Sequence, residues 1–167
     1  LPEVPASAAT WRPYTEERSA EFAALLERTY QGSLDCPWLE GLRSGAEALA
    51  SHRLAGRFDP TLWGTYELDG QAAGLCLLND HADQDALELV YFGVVPEFRG
   101  RGLGRRMIVE ALHRAAARGR VALFLAVDAQ NAYANAVYAD LGFAELARRV
   151  ARFRPCGPLA RDSSTRS

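Results

Sequence analysis

Ala86–Val95 (ALELVYFGVV) is an apolar run interrupted by a single charge, Glu88, and stopped by Pro96. Such a run suits a strand covered on both faces. Pro96 has no N–H to give to a ladder, so pairing ends there. Beyond it, Leu103, Met107, Val109, Leu112 and Ala116 recur at helical intervals until Gly119, and Val121–Val127 (VALFLAV) reads as another buried strand. Strand, helix and strand in that order predict a right-handed βαβ unit with a parallel pair.

The turn inside this unit is Arg99–Gly104 (RGRGLG). Its glycines let backbone N–H groups approach a ligand, and the helix start adds partial positive charge. With Arg99 and Arg101 this makes an anion cradle; a tight turn without a ligand fits the same residues. The dinucleotide pattern GxGxxG fails, because Arg105 or Met107 stands where the third glycine belongs. No Gly-Lys-Ser/Thr is present for a nucleotide triphosphate loop either.

The rest of the chain supplies more strands and helices. Ala9–Tyr14 reads as a short strand and Glu16–Tyr30 as an amphipathic helix capped by Thr15. Ser44 and Glu47 form a capping box for a second helix reaching Ala55. Leu62–Leu68 and Gln71–Leu78 are strands joined by an Asp69-Gly70 hairpin turn, and Asn79–Asp85 reads as a polar loop. Asn131–Asp140 is a short helix, Leu141–Phe143 a turn, and Ala144–Phe153 one or two last strands. Residues 1–8 form a loose lead-in, 9–155 a single domain, and 156–167 a polar tail in which Arg161–Ser167 is expected to be disordered.

Two segments together resemble the GNAT superfamily of N-acetyltransferases. Arg99, Gly102 and Gly104 meet its Gln/Arg-x-x-Gly-x-Gly/Ala signature, and Asn131, Ala134, Tyr138 and Leu141-Gly142-Phe143 resemble its second motif. The resemblance covers about residues 62–153, whereas the N-terminal helices match in layout. It implies a mixed α/β fold: a mostly antiparallel sheet with splayed central strands, flanked by about four helices. It implies acetyl-CoA as co-substrate, with no metal. The backbone of Val94 and Val95 is then expected to hold the pantetheine. The amides of Arg99, Gly100, Arg101, Gly102, Leu103 and Gly104, with Arg105 nearby, are expected to hold the pyrophosphate. Asn131 is expected to hold the coenzyme arm while capping its helix.

Tyr138 falls where the resemblance places a general acid, and packing against Phe143 is the plain alternative. Glu88, eleven positions before Arg99, matches the spacing of a catalytic glutamate in histone-acetylating members. Burial would raise its pKa toward the working range. A solvent-facing glutamate, with a water chain as base, is the other reading. The expected reaction is direct transfer to a small-molecule or peptide amine. A small amine, an antibiotic, a protein N-terminus and a lysine side chain all remain open as acceptors. The loop Ser33–Arg43, with Asp35, Cys36, Trp38 and Glu40, has the acidic and aromatic character a cationic amine needs; it could equally be a packed loop. A non-catalytic acyl-CoA sensor and an unrelated phosphate-binding α/β domain are the rival functions.

Bulk properties restrict partners. A net charge of −2 gives no support for a general nucleic-acid or anionic-membrane binder, and the basic run Arg148, Arg149, Arg152 and Arg154 suits a solvated strand face. No apolar run approaches the roughly 20 residues of a membrane span. The first residues lack a signal-peptide pattern, and the absence of an initiator Met suits a processed or trimmed chain. Cys36, Cys76 and Cys156 suggest neither a disulfide framework nor a zinc site, so a cytoplasmic setting is expected. His52, His81 and His113 have no metal-ligand partner at useful spacing. A homodimer is compatible with the resemblance, and no residue decides it.

Overall fold

A computed structural model of the chain describes residues 1–6, 8–37, 41–150, 152 and 154. Trp38 and Glu40 of the expected acceptor loop, Cys156 and the polar tail lie outside the described residues. Five strands form one sheet in chain order: β1 Thr10–Pro13, β2 Trp63–Leu68, β3 Gln71–His81, β4 Ala86–Val94 and β5 Ala122–Leu125. The first four run antiparallel, and β4 and β5 are parallel, as the βαβ reading requires.

Helices α1 (Ser19–Tyr30) and α2 (Gly45–Arg53) cover one face. Phe22, Leu25, Leu26, Ala48 and Leu49 are buried there, in one core with Trp63, Leu75 and Leu77. Trp63 is boxed edge-on by Tyr14 and Phe58. Helix α3 (Leu103–Ala117) covers the other face, burying Met107, Ala111 and Ala115, while the Tyr66 hydroxyl donates to Glu110 Oε2 at 2.7 Å. Helix α4 (Ala132–Asp140) follows β5.

Local chemistry sets several boundaries. Asp69 (φ 54°) and Gly70 (φ 74°) make the positive-φ hairpin turn. The capping box forms: Glu47 N–H donates to Ser44 Oγ at 3.2 Å, and Ser44 N–H to Glu47 Oε2 at 2.8 Å. Thr15 makes no side-chain cap, and Glu16–Arg18 is instead a 3-10 turn leading into α1.

Three expectations are corrected. Asn79–His81 continues β3 rather than starting a loop, because tertiary partners satisfy its polar groups. Asn79 Oδ1 accepts from the Trp63 indole at 2.8 Å, and its amide donates to the His52 carbonyl at 2.7 Å. Asp80, 3% exposed, receives Arg120 at 2.8 and 2.9 Å and Arg57 at 2.5 Å. Val121–Val127 shortens to Ala122–Leu125 and is a half-buried edge, with Val121 80% exposed. Residues 144–150 form no strand: Leu146 and Val150 are 88% and 79% exposed, so no apolar face repays the ordering of a strand.

Docking of α1 on α2 decides where the acceptor-side loop leaves the core. Gly45 opens α2 against the α1 backbone, donating its N–H to Glu27 Oε1 at 2.5 Å. A Cβ on Gly45 would lie 2.1 Å from the Ala23 carbonyl oxygen. Because that obstacle is helical backbone, Gly45→Ala is expected to destabilise the protein by about 1–3 kcal/mol. Urea denaturation checks this, and an unchanged midpoint would show that the helices slide freely.

Candidate active site

The central strands part at a defined point. β4 pairs with β5 only over Ala86–Leu89 against Ala122–Leu125, while β3 follows β4 as far as Val94. The β3–β4 register jumps from Leu77↔Tyr91 to Leu78↔Leu89, which leaves Val90 as a one-residue bulge. Bulges bend a strand and increase its twist. This one stands where β5 stops pairing, so Val90–Val94 and residues 126–128 form the two sides of a fork.

Antiparallel alternation determines which backbone groups line the fork. Val95 N–H donates to Ala73 O at 3.0 Å, so Val95 is turned toward β3 and away from the cleft. The alternate residues Val94 and Phe92 therefore direct their backbone polar groups into the fork. Of the expected pair Val94 faces the fork and Val95 does not, while Phe92 faces it too. The Val94 carbonyl also accepts from Arg99 Nε at 3.0 Å.

Below the fork a 3-10 turn, Pro96–Phe98, leads into RGRGLG. Gly100 and Gly102 have φ of 74° and 77°, and a Cβ at either would meet nothing within 4 Å. The space above both is open, and no side chain caps the start of α3. Open space beside both glycines at an uncapped helix start fits a diphosphate. Leu103 is buried, so only its backbone can contribute. The Arg101 guanidinium lies 5.0 Å from the Phe98 ring centre and is exposed. Arg105 pairs with Asp140, tying α3 to α4, and Arg99 is committed to carbonyls. Asn131 Oδ1 caps α4 by accepting from Ala134 N–H at 3.1 Å.

Tyr138 is 7% exposed, its ring 6.4 Å from Phe92 and 5.5 Å from Phe143. Its phenol is pushed above the ordinary value by burial first and then by the negative charge of Asp35. The same carboxylate adds to the upward shift of Tyr91, whose main cause is also burial. The charge of Asp35 thus acts on both phenols. Its Oδ1 accepts from Asp128 N–H at 2.7 Å, and Cys36 N–H returns a bond to Asp128 Oδ2 at 3.3 Å. The loop after α1 is thereby laced to the chain after β5. Much of Asp35 is open to solvent, yet its carboxyl is raised, by lost hydration first and partly offset by the Asp128 amide. Asp128 itself gave no signal in sequence, since its neighbours carry no periodicity.

Glu88 lies in the paired part of β4, opposite Asn79 and Phe124. It is half-buried, and its carboxylate meets His81 Nε2 at 2.8 Å. The bulge puts Glu88 and Tyr91 on the same face. Tyr91 reaches Thr29 Oγ1 at 2.7 Å and lies against the His52 ring. Cys76 is buried, its thiol pushed up to about 12 by burial, which excludes it as a ready nucleophile. Among the described residues no His, Cys, Asp and Glu group could hold a metal ion, and no helix is long and apolar enough to cross a membrane.

A sheet forked beside a glycine-rich turn at a helix start is the arrangement that the GNAT resemblance implies. The Acetyltransferase (GNAT) family model matches residues 11–143, and the chain belongs to that family. It is 35% identical over 137 residues to the mycothiol acetyltransferase of Streptomyces bingchenggensis, covering 80% of this chain and 41% of that protein. The chain thus spans less than half the length of such relatives. Its fold is similar to the ribosomal-protein-S18-alanine N-acetyltransferase of Escherichia coli, with a TM-score of 0.64, 21% identity, and 83% and 79% of the two chains covered. The PaiA N-acetyltransferase of Thermoplasma acidophilum, in complex with coenzyme A, gives 0.63 at 18% identity over 83% and 91%.

His52 connects this site to stability. Its Nε2 is buried without a partner, and burial, then the Arg43 charge, lowers its pKa from 6.5 to about 4. Below pH 6.5 the unfolded chain binds a proton that the folded one refuses, so stability falls as pH drops from 6.5 toward 4. In His52→Leu the loss between about pH 7 and 5 should shrink by about 1–2 kcal/mol in urea titrations. An unchanged loss would mean that His52 gains a partner in solution.

Proposed function

We propose that the protein is an N-acetyltransferase that moves an acetyl group from acetyl-CoA to a primary amine by direct attack. The observation that carries this reading is Tyr138, a buried phenol beside Phe92 at the fork and within the field of Asp35. Acetyl-CoA supplies a thioester acetyl group that an amine can attack. The amides of Gly100–Gly104, with Arg101 and Arg105 nearby, hold its pyrophosphate, while the Arg99 amide is held by Pro96 O at 3.2 Å. Val94 and Phe92 hold its pantetheine through their backbones, and Asn131 assists from α4.

The acceptor arrives as an ammonium of pKa about 10.4 and must lose a proton before it attacks. Glu88, oriented by His81, accepts that proton directly or through water. As the C–N bond forms and the C–S bond breaks, Tyr138 Oη gives its proton to sulfur, which limits the charge that builds there. Asp35 holds the cationic amine on the α1 side. The domain of residues 9–155 is the catalytic unit, and its unpaired thiols Cys36 and Cys76 suit the cytoplasm.

The test is an amine panel read by thiol release from acetyl-CoA. It includes small molecules and peptides, since the relatives' names cover both mycothiol and a ribosomal protein. Cationic amines should be preferred, and Asp35→Asn should erase the preference. Tyr138→Phe should lower kcat by about 10²–10⁴-fold while leaving acetyl-CoA affinity intact. Acetyl-CoA binding without turnover of any amine would instead favour an acyl-CoA sensor. For Glu88→Gln kcat should fall while acetyl-CoA affinity holds; an unaltered kcat assigns deprotonation to water alone.

A further inference from the structure

Arg99 opens the glycine cradle, but each nitrogen of its guanidinium donates elsewhere. Nε bonds Val94 O at 3.0 Å, Nη1 bonds Gly32 O at 3.1 Å, and Nη2 bonds Thr29 O at 2.9 Å. Thr29 lies in the last turn of α1, and Gly32, at φ 60°, lies just past its end. Helix C-termini leave carbonyls without intrahelical donors and carry partial negative charge, so a guanidinium is well placed there. The α1 C-terminus is therefore capped from the opposite end of the site, by the loop that faces the anion.

The consequence lies three residues further on. Gly32 leads directly into Ser33–Pro37, whose Asp35 and Cys36 exchange hydrogen bonds with Asp128. One side chain thus joins the cradle to the loop on the acceptor side. The cradle has its own freedom: positive-φ glycines flank Arg101, and a Cβ at either would meet nothing within 4 Å. An anion bound to the amides of this loop restricts the backbone that carries Arg99. A ligand shifts such an equilibrium only through its different affinity for two arrangements, and the resulting coupling is reciprocal.

We propose that Arg99 is a positioning residue for the acceptor side: its three bonds to Val94, Gly32 and Thr29 transmit occupancy of the RGRGLG cradle to Ser33–Pro37, so that coenzyme binding orders the loop that receives the amine. This rests on the coenzyme reading above and extends it from binding to coupling between the two substrates' seats.

Hydrogen–deuterium exchange of the full chain, with coenzyme A as probe, tests it alongside calorimetric titration. In the wild type, coenzyme A should slow exchange both in residues 100–107 and in 29–37. In Arg99→Ala, protection of 100–107 should persist with affinity within about threefold, while 29–37 exchanges fast with or without ligand. Arg99→Lys should behave like Arg99→Ala, because one ammonium cannot span three diverging carbonyls. Amides of β3 serve as the folding control. A loss of affinity of about tenfold or more in Arg99→Ala, restored by Arg99→Lys, would make Arg99 a phosphate ligand and overturn the proposal. Retained protection of 29–37 in Arg99→Ala would overturn it as well. If the wild type binds coenzyme A without slowing 29–37, this inference alone fails; if it binds none, the coenzyme reading fails and the coupling with it.

Discussion

One extra residue in β4, Val90, determines what the two faces of this sheet can do. Without it Glu88 and Tyr91 would point to opposite faces, because strand side chains alternate. With it both face α1 and α2, where Asn79, opposite Glu88, reaches the α2 carbonyl of His52, and Tyr91 meets Thr29. Phe92 then faces α3 and α4, with Gly104 and Tyr138 as its neighbours. The same irregularity coincides with the end of β4–β5 pairing, which opens backbone groups of Phe92 and Val94 to a cleft instead of a partner strand. Core burial on both faces keeps the bulge in place, since slipping the register by one residue would turn Leu75 and Leu77 out of the core.

Much of this could be read from the chain because it depends on local chemistry. The apolar run ending at Pro96, the helical spacing after Leu103, the Ser44 capping box and the Asp69-Gly70 turn all act within a few residues. Asn131 is similar, capping α4 with its own side chain. Distant partners decided the rest. Asn79 and Asp80 look like loop residues until Trp63, Arg57 and Arg120 are brought to them from other parts of the chain. Glu88 looks isolated until β3 carries His81 across to it. A bulge has no composition of its own, so neither the same-face pairing of Glu88 with Tyr91 nor the turning of Val95 toward Ala73 could be anticipated. Residues 144–150 are the converse case, in which a plausible pattern finds no surface to pack against.

The fork is also polarised along its length. Amide donors and arginines gather at the start of α3, while Asp35 and Asp128 close the side reached by the loop after α1. Under the proposed function, a donor carrying phosphates and an acceptor carrying an ammonium would be attracted to different ends of one cleft, so each would avoid the other's seat. The division has a cost, because two carboxylates held side by side repel and lose hydration. Backbone amides from Asp128 and Cys36 offset part of it without adding a cation that would compete with the substrate. A lysine or arginine in their place would neutralise Asp35 permanently. It would thereby remove the charge that, after burial, raises the phenol of Tyr138.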